Sequence, residues 1–306
     1  MIKQTRKLVL GSVILLFCSI GANSCFAQLT DLARLEYTYI PQGNSDNVVT
    51  RFRVFANYPI QLGWEGSFLI PGVEYRNLNF DIDDPMPFDL ATLGSFQSFR
   101  ASLAYTFKMK RNWRFGAKVG LEVASNFEES TVESRDMRFS GEIYMIKDRT
   151  GDEFEKPNRL ILGLQYSTNA GRPFPIPIIN YFRRFHPDWS YSLGSPKTNL
   201  KHTFGTTQKH SLQSYVTLDG FFSNIQNDLV ITNPDNSITT ADNISMTIIL
   251  GGLGYEYSFT KHLLFYFYGG HTIFNEIRLR DRSRNNLFTI NEENTFYLRS
   301  GIKFKI

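Results

Sequence analysis

The residues able to do chemistry are sparse. The five histidines are His186, His202, His210, His262 and His271. His210 and Ser211 look like a base beside a nucleophile, but adjacent residues of a strand face opposite sides and cannot act together. His186 and His262 fall in short polar breaks and read as solvated turn residues. His271 and Ser300 are the one pair that geometry could join. If the last hairpin turns at Asn285-Asn286, the two stand opposite each other on one face. A base beside a hydroxyl is the minimum for acyl transfer. No third residue orients His271 in that register, and a small-residue patch beside Gly269 and Gly270 is the plainer reading. His271 and Ser300 are therefore only weak catalytic candidates.

Other chemistry is missing or bland. There is no phosphate-binding loop, His-Glu-x-x-His or ordered calcium loop. Gly251, Gly252 and Gly254 lie within an apolar alternating run, where no nucleotide loop forms. Asp81, Asp83, Asp84 and Asp89 offer hard oxygen ligands for calcium, but Pro85 and Pro87 among them favour a plain exposed loop. Arg278, Arg280, Arg282 and Arg284 alternate like a comb. They could grip lipopolysaccharide phosphates bidentately, or form a self-paired hairpin with Asp281, Glu292 and Glu293. Both cysteines, Cys18 and Cys25, precede residue 28, so the remainder of the chain has no thiol for a disulfide, a metal or a nucleophile. No cofactor and no metal are expected.

Charge narrows the class further. The 306 residues carry 33 basic and 29 acidic side chains, a net charge of +4. Lys3, Arg6 and Lys7 supply three of those basic groups, so residues 28–306 are nearly neutral and present no basic face for nucleic acid. Lys3–Lys7, an apolar stretch from Leu8 to Ile20 and the sequence Cys25-Phe26-Ala27 form a secretory signal peptide over residues 1–27, cleaved after Ala27. An uncleaved anchor and an acylated Cys25 are the alternatives. Residues 28–306 then form one mature domain. It holds no apolar run of the roughly 18 residues a membrane helix needs. Yet the chain contains 27 Phe and 15 Tyr.

The alternation of side chains says where those rings go. Phe99, Ala101, Leu103, Tyr105, Phe107 and Met109 alternate with Arg100, Ser102, Ala104, Thr106 and Lys108. After Lys110-Arg111-Asn112, a run from Trp113 to Val123 alternates with Arg114, Gly116, Lys118, Gly120 and Glu122. Phe296–Ile306 repeats the pattern. Along a strand, period two gives one apolar face and one polar face. The runs are roughly 10–13 residues, longer than ordinary globular strands and long enough for a tilted strand to cross a bilayer. Short breaks (Lys110–Asn112, His186–Asp188, Thr260–His262) alternate with long polar ones (Asn79–Ser95, Ser125–Arg138, Asn224–Asp242, Asn275–Glu293). That is the turn-and-loop rhythm of an outer-membrane barrel. Trp64, Trp113 and Trp189 are each expected to open a strand at an inner aromatic girdle.

The fold class is accordingly all-β: a transmembrane, antiparallel, up-and-down barrel. About 14 strands are expected, with both termini in the periplasm. Twelve is the fallback, because five prolines between Gly171 and Phe204 remove ladder donors. Gly251-Gly252 is expected to mark a bulge.

Several motifs carry a resemblance. They are Leu160–Tyr166, Pro175-x-Pro177, the run from Trp189 to Pro196-Lys197, Asn199-Leu200-Lys201 and Leu212–Phe222. Following a signal peptide, they make the chain similar to a Bacteroidota outer-membrane β-barrel family of unknown function, the domain of unknown function 6268. The likeness covers most of residues 28–306. It implies a barrel and an outer-membrane location, and it supplies no activity and no catalytic residues. The chain departs from the commonest barrel ending by closing on Ile306, with Phe304 in phase two places earlier.

The polar face is the best functional clue. Arg34, Glu36, Arg51, Arg53, Arg100, Arg114, Lys118, Glu122, Arg299 and Lys303 should project into the lumen. Such mixed-sign rings either line a narrow aqueous path or zip into a plug. The leading expectation is a non-enzymatic, porin-like narrow channel for small polar or ionic solutes, the solute being unknown. The alternative is a structural or partner-binding barrel acting through its outer loops. A lipid-modifying enzyme built on His271 and Ser300, similar to outer-membrane phospholipases, ranks third. Expected partners are outer-membrane lipid, lipopolysaccharide and, during assembly, the barrel-insertion machinery. Nucleic acid is not expected to be one.

Overall fold

The computed structural model describes residues 31–305, apart from 44, 152, 169–172 and 234. The expected signal peptide, Cys18, Cys25 and Ile306 lie outside the described residues. The strands are β1 (Ala33–Pro41), β2 (Val48–Asn57), β3 (Ile60–Gln61), β4 (Phe68–Asp81), β5 (Ser95–Lys108), β6 (Trp113–Ser125), β7 (Met137–Arg149) and β8 (Asn158–Ser167). They continue as β9 (Phe174–His186), β10 (Trp189–Gly194), β11 (Lys197–Phe204), β12 (His210–Thr232), β13 (Ile238–Ser258), β14 (Leu263–Arg280), β15 (Asn286–Asn291) and β16 (Phe296–Phe304). Each pairs antiparallel with its neighbour in sequence, and β16 returns to β1. Two short strands are adjuncts: β3 lies on β4, and β15 lies on β14. The remaining fourteen close an up-and-down barrel. Two single 3-10 turns, Ala91–Leu93 and Ser134–Asp136, interrupt the connections.

The barrel is inside out. Outward residues at mid-strand are apolar and bare, with Val119 63%, Phe139 76% and Leu253 70% exposed. Inward residues such as Glu36 and Arg51 are 2% and 3% exposed. A closed sheet with this belt pairs its ladder groups internally around the lower barrel, as a bilayer demands. Aromatic rings crowd the rim where the first and last described residues lie, called here the lower rim. Trp189 stacks on His202 at 4.3 Å, and Phe204, His210, Tyr257 and Phe259 continue the band. Trp113 and Trp189 open their strands there, as expected. Trp64 does not: β3 folds back on Phe68 and Leu69, leaving Trp64 in an exposed turn four residues before β4.

Inside, glycines make room for rings. A side chain at Gly254 would strike the Tyr268 ring, and one at Gly301 the Tyr266 ring. Each glycine is the cross-strand partner of the tyrosine it admits. The bulge expected at Gly251-Gly252 falls one residue away. Ile249 pairs with Phe274 and Leu250 with Thr272, so Ile273 is the extra residue, on β14.

Two expected loops are partly strand. Asn224–Asp242 is mostly the continuation of β12 and β13, which stay paired to Thr232–Ile238. Asn224 and Gln226 read as loop because their amides face inward to partners on another loop. Likewise β14 runs on to Arg280, and β15 pairs with it.

All fourteen strands form despite the prolines, and the reason is local. The hairpin of β10 and β11 is short, and its ladder to β9 stops at Asn180–Gly194. Ser195 N–H donates to Ile179 O on that side at 2.9 Å. Residues 175, 177 and 179 share one backbone orientation. The absent N–H groups of Pro175 and Pro177 therefore fall on an edge of β9 that no strand covers.

Candidate functional site

The ladder places Arg51, Arg53, Arg100, Arg114, Lys118, Glu122, Arg299 and Lys303 on the inward face, and each meets a polar partner there. At mid-height Arg51 sends Nη1 to Asp219 Oδ1 at 2.9 Å and Nη2 to Oδ2 at 2.7 Å. Arg299 Nη2 donates to the same carboxylate at 2.8 Å. Arg51 also reaches Glu36 Oε1 at 3.3 Å, and Tyr266 Oη donates to Glu36 Oε2 at 2.7 Å. Two arginines and two carboxylates thus form a neutral quartet. Its members come from β1, β2, β12 and β16.

Two further groups flank it. Arg53 and Arg76 hold Glu74, the first at 3.0 Å. Arg100 pairs with Glu122 at 3.0 Å, and Thr168 Oγ1 donates to the same carboxylate oxygen at 3.0 Å. On the other wall Glu256 accepts from Lys201, from Tyr268 and from Gln213 Nε2, with Lys303 3.7 Å away. Lower down, Arg114 Nη1 donates to Gly66 O at 2.8 Å, and Lys118 lies 3.9 Å from Glu142.

Above the quartet the barrel changes size. Strand β12 pairs with β11 only as far as Thr217–Lys197, while its pairing with β13 continues. The freed edge leans across the mouth and meets β6 in parallel at Asn224–Ser125. At this level nine strands complete the ring: β6, β5, β4, β2, β1, β16, β14, β13 and β12. A ring of about eight strands is just wide enough for side chains to fill. This one is filled, with Leu78, Phe96, Phe221, Ile225, Ile231, Ile244, Met246 and Ile277 all at most 2% exposed. The upper end is thus closed by an apolar core.

A polar latch holds the hairpin in place. Buried Asp136 accepts from Asn224 Nδ2 at 2.7 Å and Gln226 Nε2 at 2.9 Å. Gln226 N–H donates to Asn126 Oδ1 at 2.9 Å, and Glu129 N–H donates to Gln226 Oε1 at 3.2 Å.

His271 and Ser300 both face outward but are not brought together. His271 pairs with Phe296, and Ser300 with Phe267. They stand four ladder positions apart, about 13 Å. The expected register assumed one continuous hairpin turning at Asn285-Asn286. Instead β14 pairs with β15, with two irregularities, before β16 begins, and this shifts the register. The arginine comb also differs from its expected pairing. Arg278 stands opposite Thr289 and holds Glu276, not Glu293. In the acidic loop, Asp84 accepts from Asn47 Nδ2 at 3.0 Å. No group of three or more metal-ligating side chains gathers among the described residues.

Sequence reasoning missed Asp219 and Glu256, the two acids that organise the lumen. A signal existed: Asp219 continues the inward phase of Gln213, Tyr215 and Thr217. It stands out as the single acid between His210 and Asn227.

A family profile described as a domain of unknown function (DUF6268) matches residues 93–305. No curated protein sequence matches the chain. Among solved structures, the chain is similar to an outer membrane channel from Pseudomonas putida F1, at 10% identity, covering 94% of this chain and 100% of that one, with a TM-score of 0.39. It is similar to LpxR from Salmonella typhimurium at 8% identity, over 90% and 100% of the two chains, with a TM-score of 0.37. It is also similar to the P. putida toluene transporter TodX at 9% identity, over 90% of each chain, with a TM-score of 0.35.

Proposed function

The chain belongs to the DUF6268 family, and from that premise we propose an outer-membrane barrel that works as a narrow, gated, non-enzymatic channel for small polar or ionic solutes, closed in the conformation described. In this reading the signal peptide exports the chain, and the lower rim faces the periplasm. The apolar belt meets outer-membrane lipid, lipopolysaccharide surrounds the upper rim, and the insertion machinery is a transient partner.

One observation carries the reading. The lower half is a charged vestibule inside a fourteen-stranded wall, and what seals it above is a hairpin with a continuous backbone ladder along one edge and only the side-chain latch and one backbone contact along the other. Beyond Thr217, β12 keeps β13 as its ladder partner and touches β6 at a single position. Swinging that hairpin outward would restore the wider ring. The test is to introduce Ser125→Cys together with Asn224→Cys in the mature chain, which has no other thiol. In planar bilayers the reduced protein should show discrete conductance steps, and the oxidised protein should be silent. A flat trace from folded, reduced protein across the voltage range would end the channel reading.

The second reading, a partner-binding barrel, is favoured by the latch, which joins the upper loops into one stiff platform. Deleting residues 224–242 should then abolish partner binding while the remaining barrel still shifts on gels when heated.

A further inference from the structure

Below the quartet, against β1, β2, β4, β5 and β6, lies a cavity of about 260 Å³. Its charged lining is Arg34, Arg53, Arg100 and Lys118 against Asp31 and Glu74. Four cations and two carboxylates face the cavity itself, while Glu36, Glu122 and Glu142 hold three of those cations from behind the lining. The pairing leaves guanidinium donors over. Arg53 uses Nη2 for Glu74, and Arg100 uses Nη2 for Glu122 and Thr168. Among the described residues, neither Nη1 has an acceptor. The Nε groups of the same two arginines are sealed from solvent without a partner, whereas both Nη1 groups are not sealed. Lys118 is the loosest cation: its only carboxylate, Glu142, is 3.9 Å away and already accepts from Gln165 at 3.0 Å.

We propose that this cavity is a binding site for a small oxyanion, a carboxylate or a phosphate, entering from the lower rim. The chemistry fits. Forked guanidinium donors match the oxygens of either group, and the partly enclosing barrel wall strengthens each contact relative to open water. A volume somewhat under that of drug-sized pockets suits a compact ligand. The mixed lining sets selectivity, since Asp31 and Glu74 repel an anion that does not reach the arginines. The inference deepens the channel reading by naming the charge class of the solute. It is tested at equilibrium, so it stands or falls without reference to conductance.

The experiment is calorimetric titration of the detergent-folded barrel with inorganic phosphate, with succinate and with choline chloride. Saturable binding of phosphate or succinate is expected, and the tighter of the two identifies the source. Lys118→Gln, a partly exposed side chain whose loss leaves the other ion pairs intact, should weaken that binding at least tenfold, as should Arg53→Gln. No saturable heat with either anion, equal binding of choline, or unchanged affinity in a correctly folded Lys118→Gln variant would overturn the proposal.

Discussion

Arg51 and Asp219 face each other across the lumen, joined by two parallel hydrogen bonds of 2.9 and 2.7 Å. Strand β12 lies five ladder steps from β2 around the sheet, so this contact spans the interior and does not follow the wall. It fixes the point at which β12 leaves β11 and turns inward. Removing Asp219 leaves Arg51 and Arg299 buried with Glu36 as their one shared carboxylate, and an uncompensated buried charge costs about 3–5 kcal/mol. Asp219→Ala should lower stability by that amount in urea titrations of the refolded barrel. Arg51→Met with Asp219→Leu leaves Glu36 and Arg299 as a pair and should recover most of the loss.

The latch makes a separate prediction. Asp136 accepts two side-chain amides from β12, and without it Asn224 and Gln226 keep buried donors with fewer acceptors. Asp136→Ala should cost about 1–3 kcal/mol. It should also open residues 126–136 to protease, measured by limited digestion in micelles, while the lower barrel stays protected.

Lipid exposure is directly testable at Val119, a bare residue at the middle of β6. Val119→Arg should destabilise the barrel by about 2–4 kcal/mol in vesicles, the cost of a cation near the bilayer midplane. An insignificant change would mean that this face does not meet hydrocarbon.

Beyond the end of β14, Asn285 donates its side-chain amide to Asp281 Oδ2 at 2.9 Å and its backbone N–H to Oδ1 at 2.7 Å. These bonds hold the Asp281 carboxyl below the ordinary aspartate value. A carboxyl depressed on folding contributes stability that is present above its unfolded pKa and lost as pH falls through the lower folded value. The turn should therefore be intact at neutral pH and loosen only in strong acid. An NMR titration of Asp281 should show a midpoint under 3.8, the ordinary value, and Asn285→Ala should raise it.

Period two made the lower barrel legible. Phe99 to Met109 and Trp113 to Val123 announce strands, and they form as β5, which begins four residues earlier at Ser95, and β6, which runs two residues further to Ser125. The upper part was opaque for a physical reason. Where β12 turns inward, its two faces both become interior, so Phe221 and Phe222 are equally buried and alternation no longer distinguishes sides. Polar Asn224 and Gln226 then read as loop although they bind Asp136. The His271–Ser300 register failed similarly: even spacing kept both on the outer face, but the β14–β15 pairing displaced them along it. The lumen cations were individually visible. Glu36 and Glu122 were legible beside them by the same alternation, but the pairing of Asp219 with Arg51 and Arg299 was not, because it crosses the lumen through a bend that no local pattern encodes.

The six-residue β10 has a mechanical effect on the surroundings. Six residues extend about 20 Å, and a tilt near 40° leaves roughly 15 Å of height against a hydrocarbon belt of about 25 Å. On that flank the cylinder is a low parapet with Pro196 on its crest. Lipids there must splay or sink to meet it. The protein therefore carries a permanent dent in the surrounding leaflet, fixed in azimuth, and neighbouring molecules will sense which way it faces.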